Sequence, residues 1–177
     1  MKHLLSAILL AAVSLVAAAA DLTPAQRMTF LAAINAETDA GLVACRQARD
    51  DGCIAAYYNA PTATLAWRDA VASRDVFEAM NLTSFDGLSA GKREVMRLLL
   101  AYEPVDFTRD KTRAALVDVW GVADTNVILA VGTTTASRFE MLYGGTSATS
   151  EGVTALKRVV VGTVTLDLVS ALLNNGW

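Results

Sequence analysis

The sequence predicts a mainly α fold: one compact domain of about seven or eight short helices, with two short strands that can pair. Three observations lead there. Helix-start signals recur along the chain, beginning with Thr23-Pro24-Ala25-Gln26. Apolar residues after those signals repeat at helical spacing. Continuous β-branched runs are rare, and the clearest is Val159-Val160-Val161. The chain has 177 residues, 54% apolar and 19% charged, with a formal net charge of −3. Sixteen of the first 20 residues are apolar, which leaves about half of the remainder apolar, an ordinary globular composition.

Residues 1–20 read as a signal-peptide-like leader. Lys2 and His3 give a short positive start, Leu4 begins an apolar run that reaches Val16, and Ala17 to Ala20 offer an A-x-A cleavage site before Asp21. The same stretch is compatible with an uncleaved membrane anchor, or with an upstream start codon extending a cytosolic chain. Residues 21–177 form the domain.

Thr23 is the N-cap of the first helix, Pro24 fits its first position and Gln26 completes a capping box. Met28, Leu31, Ala32 and Ala36 make its apolar stripe, with Ile34 near the edge. Thr38-Asp39 opens a second helix carrying Leu42, Val43 and Cys45. Asp51 caps a third, running from Cys53 to Tyr58 and closed by Asn59-Ala60-Pro61. Residues 64–68 are extended. Ser73 caps a helix through Val76, Phe77 and Met80, and residues 81–87 form a turn-rich connection. Ser89 caps the next helix, for which Val95, Met96, Leu98, Leu99 and Tyr102 supply a core face before Pro104. Thr108 or Asp110 starts a helix through Ala114, Leu116, Val117 and Trp120, with Gly121 as an αL terminator. Asp124 caps residues 127–131. Thr133-Thr134-Thr135 interrupts, and a helix around Ser137 to Tyr143 ends at Gly144-Gly145. Residues 144–152 read as a flexible loop. Residues 159–161 read as a strand that Gly162 breaks, and Thr165 opens a last helix with Leu166, Leu168, Val169 and Leu172. The two strands pair residues 65–68 with 156–161.

Cys45 and Cys53 lie eight residues apart, about 12 Å of rise on one straight helix, too far for a disulfide. A turn at Asp51-Gly52 would bring them together. The preferred reading is two small buried apolar residues, with a disulfide as the alternative if the chain is exported.

Composition also bears on chemistry. The only histidine is His3, in the leader, so the domain has none for a serine triad, a histidine metal site or histidine acid–base catalysis. Ser89-Ala90-Gly91-Lys92 matches S-x-x-K, but Lys111-Thr112-Arg113 stands where that system needs K-T-G. An N-cap serine followed by a solvated lysine accounts for the same residues. Phosphate-cradling glycine motifs are absent from the sequence. Asp50-Asp51, Asp106, Asp110 and Asp124 each precede or open a helix, where capping explains them. Arg138 and Glu140 suit ion pairs to other segments. The basic groups Lys92, Arg93, Arg97 and Lys111, Arg113 read as solvated helix faces, and the mild acidity argues against specific nucleic-acid binding. Trp67 and Trp120 read as core, whereas Trp177 is exposed unless a partner covers it. The expectation is a non-enzymatic protein with no catalytic, cofactor-binding or metal-ligating residues and no cofactor.

From about Leu22 onward the order of motifs resembles a family of small uncharacterised proteins encoded among the structural genes of tailed bacteriophages. The resemblance is carried by Asp51-Gly52-Cys53-Ile54-Ala55-Ala56-Tyr57-Tyr58-Asn59, Trp67-Arg68, Leu88-Ser89-Ala90-Gly91-Lys92 and Thr112-Arg113-Ala114-Ala115. It continues through Ser137-Arg138-Phe139-Glu140-Met141-Leu142-Tyr143 and the terminal strand–Gly162–helix. It implies a virion structural or assembly protein, head–tail junction or capsid-associated and put together in the host cytoplasm. Its partners would be copies of itself and other virion proteins of the portal, capsid or tail. An apolar or aromatic patch around Trp177 or Tyr57-Tyr58 would serve those contacts. Two departures stand out: members of that family begin near Leu22 without a leader, and Phe139 replaces a small residue. The alternative is an exported helical binding protein, periplasmic or secreted, with a membrane contact only through an uncleaved leader.

Overall fold

Local cap chemistry sets most element boundaries in this chain. A computed structural model describes residues 20–144, 147–150, 153–158 and 162–174, and within them ten helices and four strands follow one another. The leader up to residue 19, the strand expected at 159–161 and Trp177 lie outside the described residues.

Helix α1, Pro24–Ala36, begins on the expected capping box: the Gln26 amide donates to Thr23 Oγ1 while Gln26 Oε1 accepts from the Thr23 amide. Its buried residues are Phe30 and Ile34, and Met28 is exposed, so the apolar stripe sits on another face than expected. The Phe30 ring decides this, packing edge-on against Tyr58 at 4.9 Å and Phe139 at 5.0 Å. Helix α2, Ala40–Ala48, is capped by Asp39, which accepts from the Gly41 and Leu42 amides. Helix α3, Asp51–Asn59, is capped by Asp50 instead of Asp51.

The expected separation of the cysteines is corrected here. Arg49 adopts the left-handed conformation (φ 53, ψ 40) and ends α2 one residue before the α3 cap. The chain therefore reverses between the cysteines, their Cα atoms come to 5.6 Å, and Cys45 and Cys53 form a disulfide instead of staying as free buried thiols. The turn lies at Arg49-Asp50, earlier than Asp51-Gly52.

Strand β1, Pro61–Trp67, leads to α4, Ser73–Ala79. Ser73 does not cap α4; Ala72 occupies that position, and Ser73 Oγ donates to Leu100 O at 2.8 Å. The connection expected at 81–87 contains a short helix, α5, Leu82–Asp86, capped by Asn81. Helix α6, Ala90–Ala101, is capped by Ser89 as expected. Helix α7, Asp110–Trp120, follows Arg109 and ends at Gly121, whose φ of 72 is positive but whose ψ of 176 is extended, so it is not an αL cap. Helix α8, Val122–Val131, starts directly after it, earlier than the Asp124 cap implied.

The two expected strands give way to a four-stranded mixed sheet of order β2-β1-β4-β3. The threonine run is strand β2, Thr133–Ser137, antiparallel to β1 with Leu65 opposite Thr135 and Trp67 opposite Thr133. Ser137 then caps α9, Arg138–Tyr143, in a second capping box with Glu140. Part of the expected flexible loop is strand β3, Ser147–Ser150, antiparallel to β4, Val153–Leu156. The expected pairing of 65–68 with 156–161 survives as a parallel contact between Ala66 and Leu156. Helix α10, Leu166–Asn174, opens with the Leu168 amide on Thr165 Oγ1.

Two apolar clusters hold these elements. Phe30, Ile34, Leu42, Ile54, Phe139, Val169 and Leu172 join α1, α2, α3, α9 and α10. Trp67, Val76, Met96, Phe107, Leu116, Ile128 and Leu129 join β1, α4, α6, α7 and α8. No described helix is long and apolar enough to cross a membrane.

Candidate functional site

The residues that carried chemical expectations turn out to hold the fold. Ser89 Oγ accepts from the Lys92 amide, while Lys92 Nζ donates to the carbonyls of Asp118 and Val119, where α7 has run out of partners. Serine and lysine thus face different tasks. Asp50 accepts from the Cys53 amide, and Asp51 from Ser170 Oγ on α10. Asp106 takes the Thr108 amide and hydroxyl and pairs with Arg109 at 2.8 Å. Asp110 pairs with Arg113, a residue only 3% exposed, whose guanidinium donates to Phe107 O and lies 4.6 Å from the Trp67 ring centre. That burial corrects the expectation of a solvated basic face at this position.

Glu140 makes the ion pair expected of it, with Arg158 at 3.0 Å and largely out of water. Arg138 instead lies over the Tyr57 ring at 4.2 Å and donates to Tyr57 O. Trp67 and Trp120 are core residues, as expected. The Trp120 indole N–H is satisfied by Met96 Sδ at 3.3 Å. Tyr57 is half-buried and Tyr58 buried, so the aromatic patch expected there is not a surface. Burial pushes the Tyr58 and Tyr143 phenols up to about 12 and raises that of Tyr57, so all three are neutral near pH 7. Among the described residues no three His, Cys, Asp or Glu side chains converge on a metal-sized site.

Eleven large apolar side chains are exposed among the described residues, and three of them lie on α6 or at its C-cap. Its expected core face divides: Met96 is buried, Leu99 and Leu100 are half-buried, and Val95, Leu98 and Tyr102 are exposed at 42%, 46% and 78%. Val95 and Leu98, three residues apart, share one face of the helix, and Tyr102 at its C-cap follows them. Helical periodicity alone assigned this apolar stripe to the core, because inward and outward apolar faces share the same spacing.

Neighbouring bonds hold the stripe in place. Ser89 caps the start of α6, Lys92 ties it to the end of α7, and Ser73 Oγ ties Leu100 to α4. Arg97 forks onto both carboxylate oxygens of Glu94 at 2.8 and 2.7 Å, holding the Glu94 carboxyl below its usual range. At its far end the stripe meets a cavity of about 400 Å³ between the close of α6 and the start of α7, lined by Leu99, Tyr102, Pro104, Asp106, Arg109 and Thr112. The exposed aliphatic side chains and the Tyr102 ring thus lie beside a recess with a polar rim.

No family model, curated protein or solved structure matches this chain.

Proposed function

We propose that the chain is a non-enzymatic virion structural or assembly protein that acts through protein–protein contacts, with the α6 stripe as its principal contact. The observation that carries this reading is the exposure of Val95 and Leu98 on one face of α6, a helix tied to α7 and α4, with the exposed Tyr102 at its C-cap. An apolar face of this kind gains from being covered, and repeated subunits cover such faces against neighbours. The order of motifs from Asp51-Gly52-Cys53 to Ser137-Arg138-Phe139 supports the placement among head–tail junction or capsid-associated proteins, with portal, capsid or tail proteins as partners.

The test is mass spectrometry and co-sedimentation on purified particles from a host producing this chain. Presence at a fixed stoichiometry supports the proposal, and absence overturns it. A V95S/L98S/Y102S variant removes the stripe while leaving Met96 and the α6 ties intact. Each buried apolar side chain contributes about 1–3 kcal/mol, so the variant is expected to associate at least about 100-fold more weakly. Unchanged incorporation would move the contact elsewhere.

A second reading, an exported helical binding protein, is favoured by the Cys45–Cys53 bond together with the leader-like residues 1–20. N-terminal sequencing that finds Met1 retained counts against it.

A further inference from the structure

The α2–α3 corner is held by contacts that owe nothing to sulfur. The Asp50 amide donates to Cys45 O and the Arg49 amide to Arg46 O, the paired bonds that close a helix through a left-handed residue. Asp50 Oδ1 accepts from the Cys53 amide at 2.8 Å, which fixes the first turn of α3. Arg46 donates to three carbonyls at the end of α1, those of Ile34, Asn35 and Glu37, which anchors α2. The Asp51–Ser170 hydrogen bond ties α3 to α10. In this corner the Cα atoms of Cys45 and Cys53 sit 5.6 Å apart, inside the range that a disulfide spans without backbone movement. The two cysteines differ in exposure: Cys45 is 7% exposed within the core cluster, and Cys53 is half-buried and packs against it.

We propose that the Cys45–Cys53 bond is a staple closed on the already folded chain by thiol–disulfide exchange, not a scaffold that folding requires. The thiolate of Cys53, the more exposed cysteine, attacks a small disulfide donor, and the donor's S–S bond breaks to release one thiolate. The Cys45 thiolate then attacks Cys53 Sγ and expels the second. The two cysteine protons pass to the released thiolates through solvent, so one donor disulfide is reduced to two thiols as one protein disulfide forms. The chain thus has two folded forms set by the redox state of its surroundings, whichever functional reading holds.

The full-length chain, prepared and held under reducing conditions, provides the starting form. A portion unfolded in N-ethylmaleimide is expected to carry two maleimide groups, and the unalkylated reduced chain is expected to show the same far-ultraviolet circular dichroism as the oxidised chain and to melt cooperatively. Unalkylated reduced chain given oxidised glutathione is expected to lose two hydrogens in mass and remain monomeric. Only seven residues separate the cysteines, so the closed loop is short and the expected gain in Tm is about 5–10 °C. A Cys45→Ser/Cys53→Ser chain is expected to melt with the reduced wild type. A reduced chain without helical signal or cooperative melting overturns the proposal. So does a persistent glutathione adduct, an intermolecular dimer, or an unchanged Tm. The reduced wild type carries the same reading without any substitution, should the serine variant fail to fold.

Discussion

Among the glycines of the described residues Gly132 leaves least room for a side chain, and Gly132→Ala is expected to destabilise the fold by about 2–3 kcal/mol. The residue joins α8 to β2; its amide donates to Leu129 O at 3.0 Å and its carbonyl accepts from the Arg68 amide at 2.8 Å. Its φ of −74 suits any residue, so backbone strain contributes nothing. The obstacle is Phe107: a Cβ at position 132 would stand 2.1, 2.4 and 2.6 Å from three atoms of that ring. Ordinary carbon–carbon contact lies near 3.5 Å, so the ring must retreat by roughly 1.4 Å. It has no room to do so cheaply, since Phe107 is fully buried with Trp67, Leu116 and Ile128 in the same cluster. Urea unfolding followed by circular dichroism measures the effect as a lower midpoint at unchanged slope, with Tm lower by about 5–10 °C. Phe107→Leu in the Gly132→Ala background removes ring atoms from the clash and is expected to cost less than the two single changes added together. A Gly132→Ala chain within about 0.5 kcal/mol of wild type, or strict additivity with Phe107→Leu, would refute the steric account.

Two further outcomes test the other core cluster. Phe139→Ala is expected to cost about 3–5 kcal/mol in the same assay, because the ring is fully buried between Phe30 at 5.0 Å and Tyr143 at 5.2 Å; a loss under about 1 kcal/mol would mean that a small residue fits here equally well. Tyr58→Phe is expected to leave stability at pH 7 unchanged or raise it by about 1 kcal/mol, since the buried hydroxyl has no hydrogen-bond partner among the described residues. The same substitution probes pH dependence. The Tyr58 and Tyr143 phenols are pushed by burial from 10.0 to about 12, so the unfolded chain releases these protons first. Their contribution is complete below about pH 10 and is lost as pH rises towards 12; Tyr58→Phe should flatten that alkaline decline, and an identical decline would remove Tyr58 as its source.

What could be read from the sequence was local. Thr23, Asp39, Ser89 and Ser137 cap helices because each side chain bonds an amide two or three residues on, and that relation is written in the spacing. Strands β2 and β3 were missed for the opposite reason. Thr133–Ser137 becomes a strand by pairing with β1 some 70 residues away, and Ser147–Ser150 by pairing with β4, so neither carries its partner in its own pattern. The threonine run did hold a signal, since three consecutive β-branched residues favour extended backbone. The cysteine geometry turned on one torsion: a glycine at position 49 would have announced the reversal, whereas an arginine in the left-handed region announces nothing.

The α6 stripe marks the boundary between what periodicity reports and what it does not. Spacing at three and four residues identifies side chains that share a face and gain by leaving water; it is silent on whether the cover belongs to the same chain. Met96 finds its cover in Trp120, while Val95 and Leu98 on the same helix and Tyr102 at its C-cap stay uncovered. The stripe was therefore legible as apolar and illegible as surface. The missing information lay in α4 and α7, which pack on one side of α6 and leave Val95 and Leu98 on the other in water. A function exercised through contacts enters the sequence in the same form as a core, and only the packing of distant elements separates the two.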